Sequence, residues 1–391
     1  MLRLLTAGES HGPSLTVILD GLPAGMPFAR ERIDDDLRRR QGGYGRGGRM
    51  KIERDQVEVL SGVRHGHTLG SPLTLRIENR DWANWQQAMS ADPIDEPTEL
   101  VTRVRPGHAD LTGALKYGRA DVREVIERAS SRETAARVAA GGVCKLLLSA
   151  FAVAVHSHVV AVGGVGYPAE SMPDAGSADA AFWEQVEASP MRCADAALTQ
   201  RMIDRILDAK RHGDTCGGVF EVVATGVPVG LGSYSQWDRR LSGRVAQTLM
   251  SIPSAKGVEI GAGFASAALP GSQVHDVARY DAADGWRHLS NNAGGIEGGI
   301  SNGEPILARV AVKPIPTLAH PLPSVDVRTG EGVAVTRYER SDVCVVPAAG
   351  VVGEAMLAFT LAEAWIEKFG GDSLTEMRAN VEQYLASLRR A

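Results

Sequence analysis

The chain has 391 residues, of which 44% are hydrophobic and 23% are charged, as in an ordinary globular protein. A formal net charge of −5 gives no general attraction to nucleic acid, and no apolar run approaches the roughly 20 residues that a membrane helix needs. The four cysteines form no CxxC pair, and the N-terminus has no signal-peptide core. We therefore expect a cytoplasmic protein with reduced thiols, no metal site and no membrane or nucleic-acid partner.

The first half of the chain mixes short strands with helices. Alternating apolar residues predict strands at Ser14–Asp20, Val57–Leu60 and Leu73–Ile77. A charged helix is predicted over Arg30–Arg40, and the five glycines of the next segment, Gln41–Arg49, predict a mobile loop. The strongest helical stretch is Val122–Phe151, with a break near Ala129.

The second half continues this mixture. Strands are predicted at Val153–Val162, Gly218–Val227 and Ile306–Val312, and helices at Leu198–Arg211 and Val352–Phe369. The segment Gly166–Ala188 is rich in Gly, Ala, Ser and Pro and is interpreted as a linker-like insertion. Because the elements do not alternate strictly, the pattern favours an α+β fold over a doubly wound sheet. No break in composition divides the chain, so we expect one domain over residues 1–391.

Two turns carry a histidine, and the second also carries arginines. The first is Gly8–Pro13 (GESHGP), where His11 is followed by glycine and proline on a loop just before a strand. The second is Arg103–Asp110 (RVRPGHAD), which gathers two arginines, His108 and an aspartate. Imidazole exchanges protons near neutral pH, and arginine binds phosphate or carboxylate. The alternatives are a histidine that caps its own turn and, for the second segment, a solvated polar turn.

The segment Arg128–Thr134 (RASSRET) has the features of an anion site at a helix start. Ser130 and Glu133 have the spacing of a capping box, and Arg128 and Arg132 flank the predicted helix start. A helix start offers free N–H groups and a partial positive charge. The alternative is an ordinary N-cap with exposed arginines.

Three further segments suit a phosphate-bearing ligand less specifically. The glycine-rich run Asn291–Gly303 lacks the Rossmann and P-loop spacings. Lys313–Thr317 (KPIPT) places a lysine at a strand end before two prolines, which can fix a cation over a phosphate. Arg337–Cys344 (RYERSDVC) sets two arginines beside Asp342, and its alternative is a surface ion pair.

Taken in order, these segments resemble the chorismate synthase family. The motifs are GESHG, GYGRGGR, RPGHADLTG, RASSRETAARVAAG, GDTCGG, SAKGVEIG, NNAGGIEGG, KPIPT and RSDVC, between residues 8 and 344. The resemblance implies a β-α-β sandwich with helices packed between antiparallel sheets, assembled as a homotetramer. It also implies an anti-1,4-elimination of phosphate from 5-enolpyruvylshikimate 3-phosphate to give chorismate. The reaction uses reduced FMN without net redox change, and NADPH is a candidate reductant.

The same resemblance assigns roles to individual residues. It implies that His11 acts on the substrate side, that His108 lies near the flavin, and that Asp342 assists proton transfer at flavin N5. The supporting polar groups are Ser10 and Ser130. The implied FMN contacts are Arg128, Ala129, Ser130, Pro253, Ser254, Gly298, Lys313, Pro314, Ile315, Pro316, Thr317 and Arg340. The implied NADP contacts are Arg40 and Arg46, and the implied substrate contacts are Arg49, Arg105, Arg132 and Arg337.

One position departs from the family pattern, and two other functions stay open. Pro253 stands where the family pattern has an amide side chain, and proline also lacks a backbone donor. An ordinary flavin or nicotinamide oxidoreductase is one alternative function, although the Rossmann fingerprint is absent and such an enzyme consumes reductant at each turnover. Binding of RNA by the Arg/Gly loop is the other, and the acidic net charge disfavours it.

Overall fold

In the computed structural model, the described residues are 1–47, 54–95, 98–281, 285–334 and 342–388. The predictions for Arg49, Arg337 and Arg340 lie outside these residues. The strands are β1 (Arg3–Ala7), β2 (Ser14–Asp20), β3 (Val57–Ser61), β4 (Val63–Arg64), β5 (His67–Thr68), β6 (Leu73–Glu78), β7 (Ala154–Val162), β8 (Val165–Gly166), β9 (Gly218–Thr225), β10 (Ala255–Ile260), β11 (Ala278–Asp281), β12 (Gly285–His288), β13 (Ile296–Glu297), β14 (Ile300–Ser301), β15 (Ile306–Val312), β16 (Ser324–Val325) and β17 (Gly332–Val333). The helices are α1 (Arg30–Gln41), α2 (Asp110–Tyr117), α3 (Arg123–Ala129), α4 (Thr134–Ser149), α5 (Ala180–Ala188), α6 (Ala196–Arg211), α7 (Leu241–Met250), α8 (Gly271–Val274), α9 (Val346–Phe369) and α10 (Leu374–Leu388).

Two antiparallel sheets form the frame of the molecule. The first has the order β1-β2-β6-β3, and the second has the order β10-β15-β9-β7-β8. In β2 the alternation SLTVILD buries Leu15, Val17 and Leu19 completely and leaves the intervening side chains half-buried. One face of the first sheet is therefore apolar and packs inward.

Helices α4 and α9 connect the sheets through the core. Helix α4 packs on β2 and on α9, and α9 packs on β7 and β9. The two helices approach closely at Gly141, because a Cβ atom there would lie 2.3 Å from the Cα of Ala355. Helix α9 is long and apolar enough to cross a membrane, contrary to our expectation of no such run, but 89% of its most apolar window is buried inside the protein. It is the central core helix.

A buried charge cluster lies on α9. Glu354 has no exposed surface and binds Arg39 through both oxygens at 2.8 Å, Lys145 at 2.6 Å and Arg192 at 2.9 Å. Burial disfavours the carboxylate, but these cations outweigh burial and hold the pKa of Glu354 well below its usual value. The cluster ties α1 and α4 to α9.

Most predicted elements are confirmed, and the differences have local causes. The predicted linker Gly166–Ala188 ends in helix α5, where Asp179 accepts a hydrogen bond from Phe182 N at 3.0 Å as the N-cap. Helix α9 starts six residues before the predicted Val352, because Pro347 is tolerated in the first turn of a helix. The predicted capping box at Ser130 was wrong in detail. Its Oγ accepts from Arg132 N and caps a 3-10 turn, and α4 begins only at Thr134.

The expected mobile loop after α1 is packed in its described part, residues 42–47. Tyr44 N donates to the Pro190 carbonyl at 2.8 Å, and the Gly45 carbonyl accepts from Val343 N at 2.8 Å. Gly45 has a φ of +92°, and a Cβ there would lie 3.0 Å from the Cβ of Cys344. Glycine therefore lets this loop dock against the segment that leads into α9, rather than making it free.

Candidate active site

A cavity of about 430 Å³ lies where the starts of α4 and α9 meet the loops after β1, before α2 and after β15. This volume is in the range of small-molecule sites. The cavity brings together most of the predicted site residues: Ser10, His11, Arg40, Arg46, Arg105, His108, Ala129, Ser130, Arg132, Pro253, Ser254, Lys313, Ile315, Pro316, Thr317 and Asp342. Segments far apart in the sequence therefore meet at one place.

His11 is held by a carboxylate that the sequence did not identify. Its Nδ1 lies 2.9 and 3.0 Å from the two carboxylate oxygens of Glu127, and its backbone N–H donates to the same carboxylate at 2.8 Å. Burial opposes ionisation of Glu127, but the hydrogen bonds from His11 outweigh burial and lower the pKa of this carboxyl. The pair thus consists of an ionised, buried carboxylate and an imidazole at the cavity wall.

The neighbours of His11 fix its position further. The imidazole stacks on the ring of Trp85, with centroids 3.9 Å apart. Ser10 donates its backbone N–H to the Glu127 carbonyl at 3.0 Å, and its hydroxyl lies 3.0 Å from that of Ser130. The loop after β1 is thereby attached to the end of α3.

The second histidine, His108, is also held by a buried carboxylate. Its Nδ1 makes a short contact with Asp110, which is completely buried at the start of α2. Asp110 also accepts hydrogen bonds from Arg105: from its backbone N at 3.0 Å, from Nε at 2.9 Å and from Nη2 at 3.2 Å. Burial opposes ionisation, yet the bonds from His108 and Arg105 hold the pKa of Asp110 well below its ordinary value.

Arg40 is a buried cation at the base of the cavity. It belongs to helix α1 and is 4% exposed. Its Nε donates to Thr134 Oγ1 at 2.9 Å and its Nη2 to the Ser131 carbonyl at 2.9 Å. Its Nη1 forms an ion pair with Asp55 Oδ2 at 3.5 Å but no hydrogen bond to the described residues. Burial lowers the pKa of Arg40 to about 9, although Asp55 opposes this shift. A buried guanidinium with one N–H group outside any hydrogen bond suits an anionic ligand.

Arg132 differs from Arg40 because its guanidinium is largely bound within the protein. Nη1 lies 2.6 and 2.7 Å from the Asp55 oxygens, and Nε donates to Asn79 Oδ1 at 2.9 Å. The guanidinium of Arg105 likewise donates hydrogen bonds to Asp110. Both arginines therefore contribute positive charge to the wall and hold it together.

Asp342 connects the docked loop to the cavity. Arg46 Nη1 lies 2.8 Å from Asp342 Oδ2, and the backbone N–H of Gly47 donates to Oδ1. We expected Arg337 and Arg340 beside this aspartate, but neither lies within the described residues. The described cation that binds and orients Asp342 is Arg46.

The cavity lining includes apolar residues as well as lysines. The apolar lining consists of Ile126, Ala129, Ile252, Pro253, Val345, Ala348, Ala349 and Val352. The lysines are Lys256 and Lys313, and the Lys313 ammonium donates to the Gly107 carbonyl. A flat apolar ring that carries a phosphate would match this combination.

Three predicted contacts lie outside the cavity lining: Arg128, Gly298 and Pro314. The Arg128 guanidinium donates to the carbonyls of Thr6 at 2.9 Å and Gly8 at 3.0 Å, so it holds the loop that carries His11. Gly298 lies at the turn of the β13–β14 hairpin, where an added Cβ would be 4.0 Å from Tyr234.

The sequence alone missed the groups that support the histidines. Glu127 lies next to the predicted anion segment, but 116 residues separate it from His11, and no local pattern joins them. Trp85 and Asp55 were likewise assigned to no site. Asp110 was visible in the RPGHAD turn, and only the fold shows that it is buried beneath His108.

Comparison with known proteins agrees with the motifs. The family model described as "Chorismate synthase" matches residues 2–366. The chorismate synthases of Moorella thermoacetica and Geobacter sulfurreducens are each 55% identical to this chain over 394 and 397 residues, covering 99% and 100% of this chain and all of each relative. A crystal structure of chorismate synthase matches with a TM-score of 0.81 at 42% identity, over 100% of this chain and 99% of that chain.

Proposed function

Because the chain belongs to the chorismate synthase family, we propose that the cavity between α4, α9 and the surrounding loops is its active site. The activity is that of a carbon–oxygen lyase of the shikimate pathway, which eliminates phosphate from 5-enolpyruvylshikimate 3-phosphate to form chorismate. The observation that carries the site assignment is the pair of histidines in one cation-lined cavity, each bound through Nδ1 to a buried carboxylate.

The elimination breaks the C–H bond at C6 of the substrate and the C–O bond to phosphate. A neutral imidazole whose Nδ1–H is held by a carboxylate offers Nε2 for proton exchange. We assign His11 to the substrate side and His108 to the flavin side of the cavity. Ser10 and Ser130, whose hydroxyls are 3.0 Å apart, are polar groups that support His11.

The residues present fit FMN as the bound cofactor. When bound, reduced FMN supplies electron density that helps phosphate to leave, without net redox change. The apolar wall with Ala129 and Pro253 would hold the ring, and Ser254 and Lys313–Thr317 would hold its polar edge and phosphate. Pro253 contributes only apolar contact, since it lacks an amide side chain. Asp342, oriented by Arg46, is the acid–base group on the flavin side of the cavity.

The cations are assigned by their position in the cavity lining. Arg40, whose Nη1 makes only a 3.5 Å ion pair with Asp55, and Arg46, which binds Asp342, line the same cavity as the histidines. They can therefore bind the anionic groups of the substrate or of NADPH as the reductant. Arg105 and Arg132 contribute positive charge to the cavity lining, and this charge attracts anionic ligands. Arg49, Arg337 and Arg340 remain predicted ligand contacts.

We further propose a single β-α-β sandwich domain that assembles as a cytoplasmic homotetramer. The layering of α4 and α9 between two antiparallel sheets supports the sandwich. The aromatic side chains of Trp237, Phe264, Tyr280 and Trp286 are mostly exposed on one chain, and exposed apolar groups of this size are common at subunit interfaces. Light scattering of the purified protein measures the assembly directly.

The site assignment is tested by phosphate release from 5-enolpyruvylshikimate 3-phosphate under anaerobic conditions with reduced FMN. His11→Ala and His108→Ala should each lose at least about tenfold in turnover, because positioned acid–base groups contribute on the order of 10²- to 10⁴-fold. His212→Ala is the matched control, since its exposed side chain lies outside the cavity. Normal turnover in either cavity variant would remove that histidine from the mechanism.

A further inference from the structure

Both carboxylate oxygens of Glu127 contact the imidazole of His11. Its two oxygens lie 2.9 and 3.0 Å from Nδ1, and one of them also accepts the backbone N–H of His11 at 2.8 Å. The side chain of Glu127 is 1% exposed and that of His11 is 16% exposed. Nδ1 of His11 is therefore hydrogen-bonded within the protein and does not face a ligand.

We propose that Glu127 is a positioning residue that fixes His11 as the Nδ1–H tautomer and leaves Nε2 as the atom that exchanges a proton in the cavity. A neutral imidazole carries one proton, and a carboxylate acceptor at Nδ1 selects the nitrogen that keeps it. Within the described part of the chain, no group hydrogen-bonds Nε2. This inference rests on the proposed function of His11.

The charges around Glu127 keep it an acceptor. Arg123 Nη1 lies 3.3 Å from Glu127 Oε1, so the buried carboxylate has a cation beside the same oxygen that contacts the imidazole at 2.9 Å. Burial favours the neutral acid, but the bonds from His11 and the charge of Arg123 lower the pKa of Glu127. An ionised carboxylate cannot donate to Nδ1, which rules out the opposite tautomer.

A second group restricts rotation of the ring. Trp85 stacks on the imidazole with an interplanar angle of 23°, and its own Nε1 donates to Asp81 at 3.2 Å. The guanidinium of Arg123 lies 5.1 Å from the Trp85 ring centroid, over its face. The imidazole is thus fixed in its plane by Trp85 and in its direction by Glu127. Such preorganisation is what proton transfer at a defined atom requires.

The chain contains a matched pair that lies away from the cavity. His158 Nε2 lies 3.1 Å from Glu221 Oε1 in the second sheet, and both residues are buried. Glu221 also accepts from Arg309 Nε at 2.8 Å, as Glu127 is accompanied by Arg123. Neither His158 nor Glu221 lines the cavity. Glu221→Gln therefore replaces the carboxylate of a similar buried Glu–His–Arg group by an amide without altering the cavity lining.

The first test is nitrogen-15 NMR of the full-length protein labelled at histidine, with the His11 signals identified by their loss in His11→Gln. We expect a protonated Nδ1 and an unprotonated Nε2 near pH 8. In Glu127→Gln the amide can accept the backbone N–H with its oxygen, and its NH2 then faces Nδ1. The proton should accordingly move to Nε2. A wild-type signal that shows Nε2–H, or no change of tautomer in Glu127→Gln, would overturn the proposal.

The second test is the turnover of the variants with substrate. Glu127→Gln should lower kcat by about 10²-fold, as expected for a misplaced general acid–base group, while KM stays within about threefold. Glu127→Asp keeps two acceptor oxygens and should recover part of the loss, and Glu221→Gln should keep the wild-type kcat. An equal loss in Glu221→Gln, or no loss in Glu127→Gln, contradicts the positioning role. Wild-type turnover in His11→Ala would instead refute the assigned function of His11, whatever tautomer NMR shows.

Discussion

Asp110→Asn is the perturbation that probes the His108 side of the cavity most sharply. Asp110 has no exposed surface, and it accepts three hydrogen bonds from Arg105 and one from His108. Asparagine keeps the shape and one acceptor oxygen but removes the charge. The guanidinium of Arg105, whose side chain is only 10% exposed, then lacks its counter-ion.

The expected loss of unfolding free energy follows from the burial of the ion pair between Asp110 and Arg105. Removing one partner of a buried ion pair costs about 3–5 kcal/mol of unfolding free energy, because the other charge stays buried and uncompensated. The pKa of Asp110 in the folded protein lies well below its ordinary value. Its stabilising contribution is therefore fully present above the unfolded pKa of about 3.9 and is lost as pH falls through the lower folded pKa. The difference between variant and wild type should be constant at neutral pH and shrink below about pH 4.

The assay is urea unfolding at pH 7 of the wild type, Asp110→Asn, Arg105→Met and the double variant, at one protein concentration. Because the double variant has no unpaired buried charge, its loss should be smaller than the sum of the single losses by about 2 kcal/mol. Additivity of the two single losses within about 0.5 kcal/mol would refute the reasoning, since it would mean that the two charges do not interact.

Three further predictions concern other charged groups. Arg40→Gln removes a buried cation of the cavity lining and should weaken substrate binding about tenfold or more in a calorimetric titration, while unchanged affinity would place the anion elsewhere. Asp342→Asn should slow the elimination and leave FMN affinity within about threefold in a flavin titration; lost affinity at a normal rate on bound flavin would make its role structural. Glu354→Ala removes the buried carboxylate shared by three cations, which keep Asp36 and Glu187 as carboxylate partners, and should lower the unfolding free energy by about 3–5 kcal/mol in urea, and a loss below 1 kcal/mol would contradict the buried-cluster account.

Local patterns predicted the elements whose burial repeats regularly along the chain. The alternation of Ser14–Asp20 gave β2 with its bounds, and the break near Ala129 separates α3 from α4. The errors arose where tertiary contacts override composition. The glycines of residues 42–47 indicated a mobile loop, but the absence of Cβ atoms allows close packing as readily as it allows freedom.

The site was predictable where its residues are neighbours in the sequence, and less so where the fold joins distant segments. The turns with His11 and His108 showed which segments carry imidazole, and the second turn also showed its arginines. That Glu127 supports His11 depends on how α3 packs beside the loop after β1, which no spacing encodes. For the same reason, only the fold shows that Arg128 holds the His11 loop and that Gly298 lies on a separate hairpin.

The most direct measurement of the central claim is the ratio of product formed to flavin oxidised under anaerobic conditions. A substoichiometric amount of reduced FMN is mixed with the enzyme and excess 5-enolpyruvylshikimate 3-phosphate, and phosphate, chorismate and the flavin spectrum are followed together. A lyase that uses the flavin without net redox change should release many phosphates and form as many chorismates for each flavin, which ends the reaction still reduced. One flavin oxidised for each product formed would contradict the account and identify the chain as an oxidoreductase.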